Sequence, residues 1–575
     1  MPKYKKTARQ MYQESNAFQS AVRKEKALEQ VMDSVFIVER LPRNVSTHAA
    51  GVVLSDEDLS DVIPLALGPS KTVISQYSKD YIEEAGLLKM DFLGLRNLTI
   101  VSYILKGIED QTGEKINLNN IPLDDAKTYQ MIAAGDTFGV FQLESEGMVS
   151  LLRKIHTQNF EDVVAAIALY RPGPMQNIPI YLARRHHQEP ITYLHDDLKD
   201  ILVSTYGILI YQEQIMQIAT RFAGFTMGKA DILRKAMSKK ETALMQKMKK
   251  EFIDGAKAQG YQEETATLIY DNIERFADYG FNRSHSVAYA LVAVQMAYLK
   301  SHYPLQFFAA LLSNNQSSDK NKLMCMQESR KYGVAILKPS VNYSFDRFTV
   351  QENNIRYSLL AIKDVGIASY QMILEERNKN GIFKDYNDFV TRMTPYRLSN
   401  KTIEALIDAG ALDEFQLSRK MMKINLEKVK SASEQTLVTA IQFDLVLKYA
   451  EDDRYEVLEN EKRVLGIYLT THPVVLYRNK VKIPTVQVGY MVEAVNQTVT
   501  SVLCIERVKT IRDKKGQNMC FLTCYDETGN IDCVLFSDQY ETYQSYLKRG
   551  QMILVEGKVS FRNALSLNIR RLKAL

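Results

Sequence analysis

Apolar residues follow two rhythms along this chain. From residue 101 to 335 they recur at spacings of about 3.6, which predicts a mostly helical region. From about Thr500 the pattern becomes period two. Runs at Ser501–Ile505, Met519–Tyr525, Ile531–Phe536, Met552–Val559 and Leu565–Ile569 predict five short strands, with a helix from Gln539 to Leu547 between the third and fourth. That succession suggests an OB barrel. Residues 1–40 read as helix, with Met11, Phe18, Val22, Leu28 and Val31 as core contacts, and residues 415–470 as a charged helical segment. Leu88 to Leu95 reads as a short strand ending in a turn, where Asp91 is a lone carboxylate among Leu87, Leu88, Met90, Phe92, Leu93 and Leu95. The longest apolar run, Val287 to Leu299, is broken by Gln295 and is too short to span a bilayer.

Length and composition narrow the class. With 575 residues, 46% hydrophobic and 25% charged, the chain is globular and long enough for roughly three to five domains. A net charge of +5 only weakly favours a polyanionic partner. The five cysteines (325, 504, 520, 524, 533) are scattered without a Cys-x-x-Cys. That excludes a disulfide framework or zinc site and fits a reducing cytoplasm. No apolar run follows Met1, so no signal peptide is expected.

Several stretches carry candidate chemistry. A half-buried Asp91 costs several kcal/mol unless a positive charge meets it. Strand neighbours alternate faces, which argues against Lys89 as that partner. A divalent metal is the sharper alternative, with Lys89 aimed at a second anion. Small residues before the apolar Val52-Val53 suggest closely packed backbone, and His48 reads as a hydrogen-bonded core histidine. Asp56-Glu57-Asp58 reads as a solvated turn. Arg171, in the bend Arg171-Pro172-Gly173-Pro174, faces either phosphate or a structural carboxylate. In the helix Ala230–Lys240, Ile232, Leu233, Ala236 and Met237 form one face, and Arg234, Lys235, Ser238 and Lys239 the other.

The loop Phe276–Ser286 mixes aromatics, glycine and bases ahead of a long helix that Ser284 or Ser286 can cap. Arg283 and His285 suit an anion, and Tyr279 and Phe281 can stack on a base, or the loop is a packed helix entry. Tyr357–Ala368 reads as a hairpin between two short helices, presenting backbone N–H groups to phosphate, with a weaker copy at Leu406–Leu412. In the barrel, Arg512, Lys514, Lys515, Arg562, Arg570 and Arg571 are candidates for a single strand, with protein binding as the alternative.

Lys89-Met90-Asp91-Phe92-Leu93-Gly94-Leu95, followed by Arg96-Asn97-Leu98-Thr99, resembles the last acidic motif of the bacterial DNA polymerase III alpha subunits, the C-family replicative polymerases. Arg171–Pro174, Leu233–Lys240, Tyr279–Tyr289 and Leu465–Pro473 follow the same family in order. The resemblance implies a multidomain α+β fold. Its parts are the C-terminal part of a palm (1–100), mainly α-helical fingers (101–335), a helix-hairpin-helix region (336–430), a clamp-binding linker (431–490) and a C-terminal β-barrel of the OB type (491–575). It implies template-directed DNA synthesis with two Mg2+ ions, Asp91 being the catalytic metal ligand. Lys89, Arg234 and Lys235 would meet the triphosphate, while Tyr279, Phe281 and His285 shape the nucleotide pocket. Arg171, Lys363 and Gly366 would hold DNA, and Gln442, Leu445 and Val446 the sliding clamp.

The implied partners are primer-template DNA, deoxynucleoside triphosphates, the clamp and other replisome subunits, in the cytoplasm and not at a membrane. The sequence departs from the family in places. Lys235 and Ser238 replace Arg and Gly, Val446 replaces an aromatic, and Asp364 stands where Gly is usual and should repel phosphate. The family's Asp-x-Asp strand is not in this sequence, so the chain is expected to be a C-terminal portion, inactive alone. The rival expectation is a non-catalytic DNA-binding or clamp-tethering protein.

Overall fold

The computed structural model describes residues 7–39, 47–48, 50–68, 71–92, 94–239, 242–276, 280–439, 446–513, 515–561 and 565–575. They form two compact units, Met1–Arg96 and Asn97–Leu575.

The first unit begins with helices Ala8–Glu14, Asn16–Arg23 and Lys26–Val38. Thr7 and Ser15 cap the first two by accepting backbone N–H groups. Of the core contacts expected here only Val22 is buried; Phe18, Leu28 and Val31 are exposed. The helices are short and pack on one another, leaving most of the apolar stripe outward. Strands Gly51–Leu54 and Leu88–Asp91 pair antiparallel, with Gly51 opposite Asp91 and Val53 opposite Lys89. A second ribbon joins Leu65–Leu67 to Val73–Ser75. The small core is Ile63, Ile82 and Leu87. Because strand residues alternate faces, Val52, Leu54, Leu88 and Met90 share the other side of the first ribbon, where all four are exposed.

Among the described residues the second unit contains three large hydrophobic cores and a small one of Val474, Val502, Cys504 and Met552 beside the barrel. The largest gathers helices between Arg96 and Arg185 with the long helix Arg283–His302, then continues through Phe348, Tyr357 and Phe389 to Ile467. A separate core is built from residues 198–276, where Phe222, Phe252 and Tyr270 are buried. The third fills the barrel. Its strands Thr498–Arg512, Asn518–Tyr525, Asn530–Leu535, Met552–Phe561 and Leu565–Ala574 close in the order third, fifth, fourth, first, second. The helix Ser537–Tyr543 follows the third strand, as the OB pattern requires. The first strand runs past its expected end at Ile505. A register shift between Ile505 and Arg507 bends it, so its charged half pairs with the second strand. All five cysteines are free and buried, four of them in or beside the barrel. No helix among the described residues is long and apolar enough to cross a membrane.

Candidate nucleic-acid interface

The loop before the helix Arg283–His302 is held by backbone before any side chain acts. Phe281 N–H donates to the Ile210 carbonyl (3.2 Å), and Gln212 N–H donates to the Phe281 carbonyl (2.9 Å). This parallel bridge of Phe281 with Tyr211 fixes the loop to the start of the helix Gln212–Ala223. Asn282, not Ser284 or Ser286, caps the long helix; its Oδ1 accepts His285 N–H at 2.8 Å. Ser286 is fully buried, and its hydroxyl has no hydrogen-bond partner. Glu213 accepts Arg283 N–H through both oxygens (3.0 and 2.9 Å), and Glu161 takes the Arg283 guanidinium at 2.7 Å.

On this frame sits a ladder of rings and cations. The Arg171 guanidinium lies 3.9 Å from the Phe281 ring centre. Phe281 meets His285 edge to face at 5.4 Å, and His285 stacks on Tyr289 at 4.3 Å. Tyr289 in turn lies 5.2 Å from Phe141. Arg171 thus has an aromatic partner, a contact that its sequence context did not raise. Gly173, at φ +106°, makes the bend that carries it there. His285 is exposed, so its ring edge is accessible while its face is fixed.

The basic helix Met227–Lys239 joins the same ledge through Gln212. Gln212 donates to the Gly280 carbonyl at 3.1 Å, and Arg234 Nη1 reaches Gln212 Oε1 by a long 3.4 Å contact. Asp231 accepts Arg234 at 2.8 Å and Lys235 at 2.9 Å. Those two hydrogen bonds, the one from Lys235 foremost, hold the Asp231 carboxyl below the usual range. The buried face is Ala230, Leu233 and Ala236; Ile232, expected among them, is half exposed. The side chains of Met237, Ser238 and Lys239 and all of Tyr279 lie outside the described residues. Gln212 and Glu213 escaped sequence reasoning, because a polar Gln212-Glu213-Gln214 run looks like any helix start.

In the first unit the expectation for Asp91 fails in two respects. It is exposed on its strand, not half-buried. Lys89 is its partner after all, at 2.6 Å to each carboxylate oxygen. Residues two apart on a strand share a face, so the alternation argument used against Lys89 applies to Met90 instead. The hydrogen bond from Lys89 keeps the Asp91 carboxyl below its ordinary range. His48 is not a core histidine. It is exposed, accepts Gly51 N–H at 2.6 Å through Nδ1, and lies 3.9 Å from Asp91. Gly51 keeps the cluster together, since a Cβ there would stand 2.8 Å from His48 Nδ1, 3.0 Å from Asp91 Oδ1 and 3.1 Å from Lys89 Cε. Asp56-Glu57-Asp58 is the exposed turn expected of it, with Asp58 capping Leu59–Val62. Magnesium binds through one or two carboxylates plus substrate phosphates. Asp91 fits one such ligand. Among the described residues no three His, Cys, Asp or Glu side chains gather as a metal site.

The hairpin is followed by the helix Ile367–Asn380, which starts at Gly366 with no side-chain cap. It is preceded by turns and not by the expected helix. Asp364 has φ +69°, a backbone shape that favours glycine and that aspartate tolerates. Its carboxylate pairs with Lys401 at 2.6 Å, so the expected repulsion of phosphate is largely offset. The weaker copy at Leu406–Leu412 is core: Leu406, Ile407, Ala409 and Leu412 are fully buried, and Asp408 pairs with Lys423 and Arg463. Gln442 and Leu445 lie outside the described residues, and Val446 is 80% exposed.

Across the outer face of the barrel, register aligns Lys509, Phe521, Val534, Asn568 and Lys558 on successive strands. Phe521 is 39% exposed between Lys509 and Val534, a base-sized apolar step with a cation on one side. Arg512, Lys515, Arg570 and Arg571 are exposed nearby in sequence, while Lys514 and Arg562 lie outside the described residues.

A closed five-stranded barrel, a hairpin leading into a helix and a cationic, aromatic helical ledge make up a multidomain α+β protein of the class built to hold nucleic acid. Family comparisons give each part a counterpart. The finger domain of the bacterial DNA polymerase III alpha subunit matches residues 97–260, a helix-hairpin-helix motif 333–422, and an OB-fold nucleic acid binding domain 505–575. Residues 1–94 match the bacterial DNA polymerase III alpha NTPase domain. The chain belongs to the bacterial DNA polymerase III alpha subunit family. It is 41% identical over 562 residues to DNA polymerase III subunit alpha of Bacillus subtilis, covering 96% of this chain and 50% of that protein. The Staphylococcus aureus protein of the same name is 40% identical over 531 residues, covering 91% and 50%. That of Halalkalibacterium halodurans is 39% identical over 558, covering 95% and 50%. The chain therefore spans about half the length of the curated relatives it matches.

Proposed function

We propose that this chain is the nucleotide-gripping and DNA-holding half of a template-directed DNA polymerase, an alpha subunit working in the bacterial cytoplasm. The observation that carries the reading is the convergence of Arg171, Arg234, Phe281 and His285, from separate stretches, on one ledge within one folded unit. A triphosphate would meet Arg234 and Lys235, displacing part of their hold on Asp231. Phe281 and His285, with Tyr279, would bound the base and sugar, and Arg171 would neutralise a template phosphate. Asp91 would contribute one carboxylate to magnesium, and Lys89 would trade that carboxylate for a triphosphate oxygen. Bound magnesium, two ions in the complete enzyme, would activate the primer 3′ hydroxyl and stabilise the departing pyrophosphate.

The proposed layout assigns 1–100 to palm, 101–335 to fingers, 336–430 to the hairpin region, 431–490 to a clamp-binding linker and 491–575 to the OB domain. Lys363 and the N–H groups after Gly366 would hold duplex backbone, and Gln442, Leu445 and Val446 the sliding clamp, with other replisome subunits beyond it.

The test has two steps. The purified 575-residue protein should bind a labelled primer-template in a salt-dependent way and fail to extend it. Fused to the half of the Bacillus subtilis relative that it does not match, it should extend. Extension by the 575 residues alone would overturn the reading of the chain as an incomplete half. Binding without extension in the fusion would make the chain a DNA-binding or clamp-tethering protein.

A further inference from the structure

The hairpin lysine is already occupied. Lys363 Nζ lies 3.1 Å from Asp319 Oδ2, and both side chains are about half exposed, at 54% and 43%. The other oxygen of Asp319 is 3.1 Å from Lys322, which is buried. Lys322 cannot leave, since its ammonium also donates to the Leu465 carbonyl at 2.7 Å and lies 3.3 Å from the Tyr357 hydroxyl. The floor under Asp319 is equally fixed. Gly466, at φ +78°, carries no Cβ, and one placed there would overlap the Asp319 carboxylate. Lys363 N–H donates to the Val464 carbonyl at 2.8 Å, tying the hairpin to the same turn. Two lysines therefore share one carboxylate, and only Lys363 has solvent to swing into.

We infer that Asp319 is the resident counter-ion of Lys363, occupied by it in the free protein and exchanged for a backbone phosphate when duplex DNA docks. The exchange strands no charge, because Asp319 keeps its bond to Lys322. It makes DNA binding at the hairpin a replacement of one anion by another, weaker than addition to a bare cation. This rests on the reading of the hairpin as a DNA contact.

Fluorescence anisotropy with a labelled duplex separates the two ideas, using the full chain with Asp319→Asn, Lys363→Ala and the double variant. Asp319→Asn should tighten binding about three- to tenfold at low salt and steepen the salt dependence by about one counterion. Lys363→Ala should weaken wild-type binding severalfold, but by less than it weakens the Asp319→Asn variant, where it also removes the gain. Unchanged or weaker binding by Asp319→Asn, with unaltered thermal melting, overturns the exchange. Equal losses on Lys363→Ala in both backgrounds overturn the exchange while upholding the hairpin contact, since Asp319 would then not compete for Lys363. No effect of Lys363→Ala in either background removes the hairpin contact itself.

Discussion

The ledge around Phe281 and the ribbon around Asp91 are built on opposite principles. Every group on the ledge is fixed by its own unit: Phe281 by a two-sided backbone bridge, His285 by a cap and a stacked ring, Arg171 by the ring it covers. On the ribbon, Asp91 is exposed, held by a single lysine, and backed by an apolar face that is itself exposed. Groups that grip a ready-made ligand gain from being rigid in advance, because less ordering remains to oppose binding. A carboxylate that shares cations with other carboxylates cannot be completed by one ribbon.

The contrast makes graded predictions. In the fusion described above, Asp91→Asn should cut primer extension about a thousandfold or more, since metal stabilisation of the transition state is worth several kcal/mol. Primer-template affinity should stay within about twofold. Equal losses in both would merge the ribbon with the ledge. Phe281→Ala should weaken primer-template or nucleotide binding by about 1–3 kcal/mol, the range for loss of a stacking face, and release Arg171 as well. Titration of the 575-residue protein alone can show this, because the ledge needs nothing from the ribbon.

Smaller effects probe the supports. Gly51→Ala should lower extension by the fusion about tenfold with little change in thermal melting. The added methyl pushes on Lys89, Asp91 and His48, all side-chain atoms on an exposed ribbon. A large melting loss would mean that the ribbon is more tightly built than it looks. Asn282→Ala should cost about 1 kcal/mol, the usual worth of an N-cap, read as a lower melting temperature with weaker DNA binding. Unaltered binding would show that His285 does not depend on the cap.

Much of this was legible in the chain because local chemistry governed it. The barrel strands followed from alternation, and the Arg171 bend from two prolines and a glycine that leave the backbone little choice. What escaped depended on contacts between distant residues. Asn282 wins the cap over Ser284 and Ser286 because the loop's bridge to Tyr211 sets where the helix can begin. Gln212 became a connector only once Gly280 and Arg234 met across it. The hairpin pattern at Leu406–Leu412 did not reveal that Leu406, Ile407, Ala409 and Leu412 would be buried in the shared core. Asp91 looked enclosed because its sequence neighbours are greasy, yet Leu88 and Met90 sit on the other face of the strand.

One feature of the fold reaches into how such a protein can be taken apart. The core that begins at Ile100 does not stop near Lys338-Pro339-Ser340; it continues to Ile467, with Phe348, Tyr357 and Phe389 packed into it. Excising the hairpin as a stand-alone tile would bare those rings to water, and so would leaving the preceding helices without it. Any recombination that trades this DNA contact between relatives would have to carry the whole shared interior with it, so the hairpin should be inherited with its helices rather than swapped as a cassette.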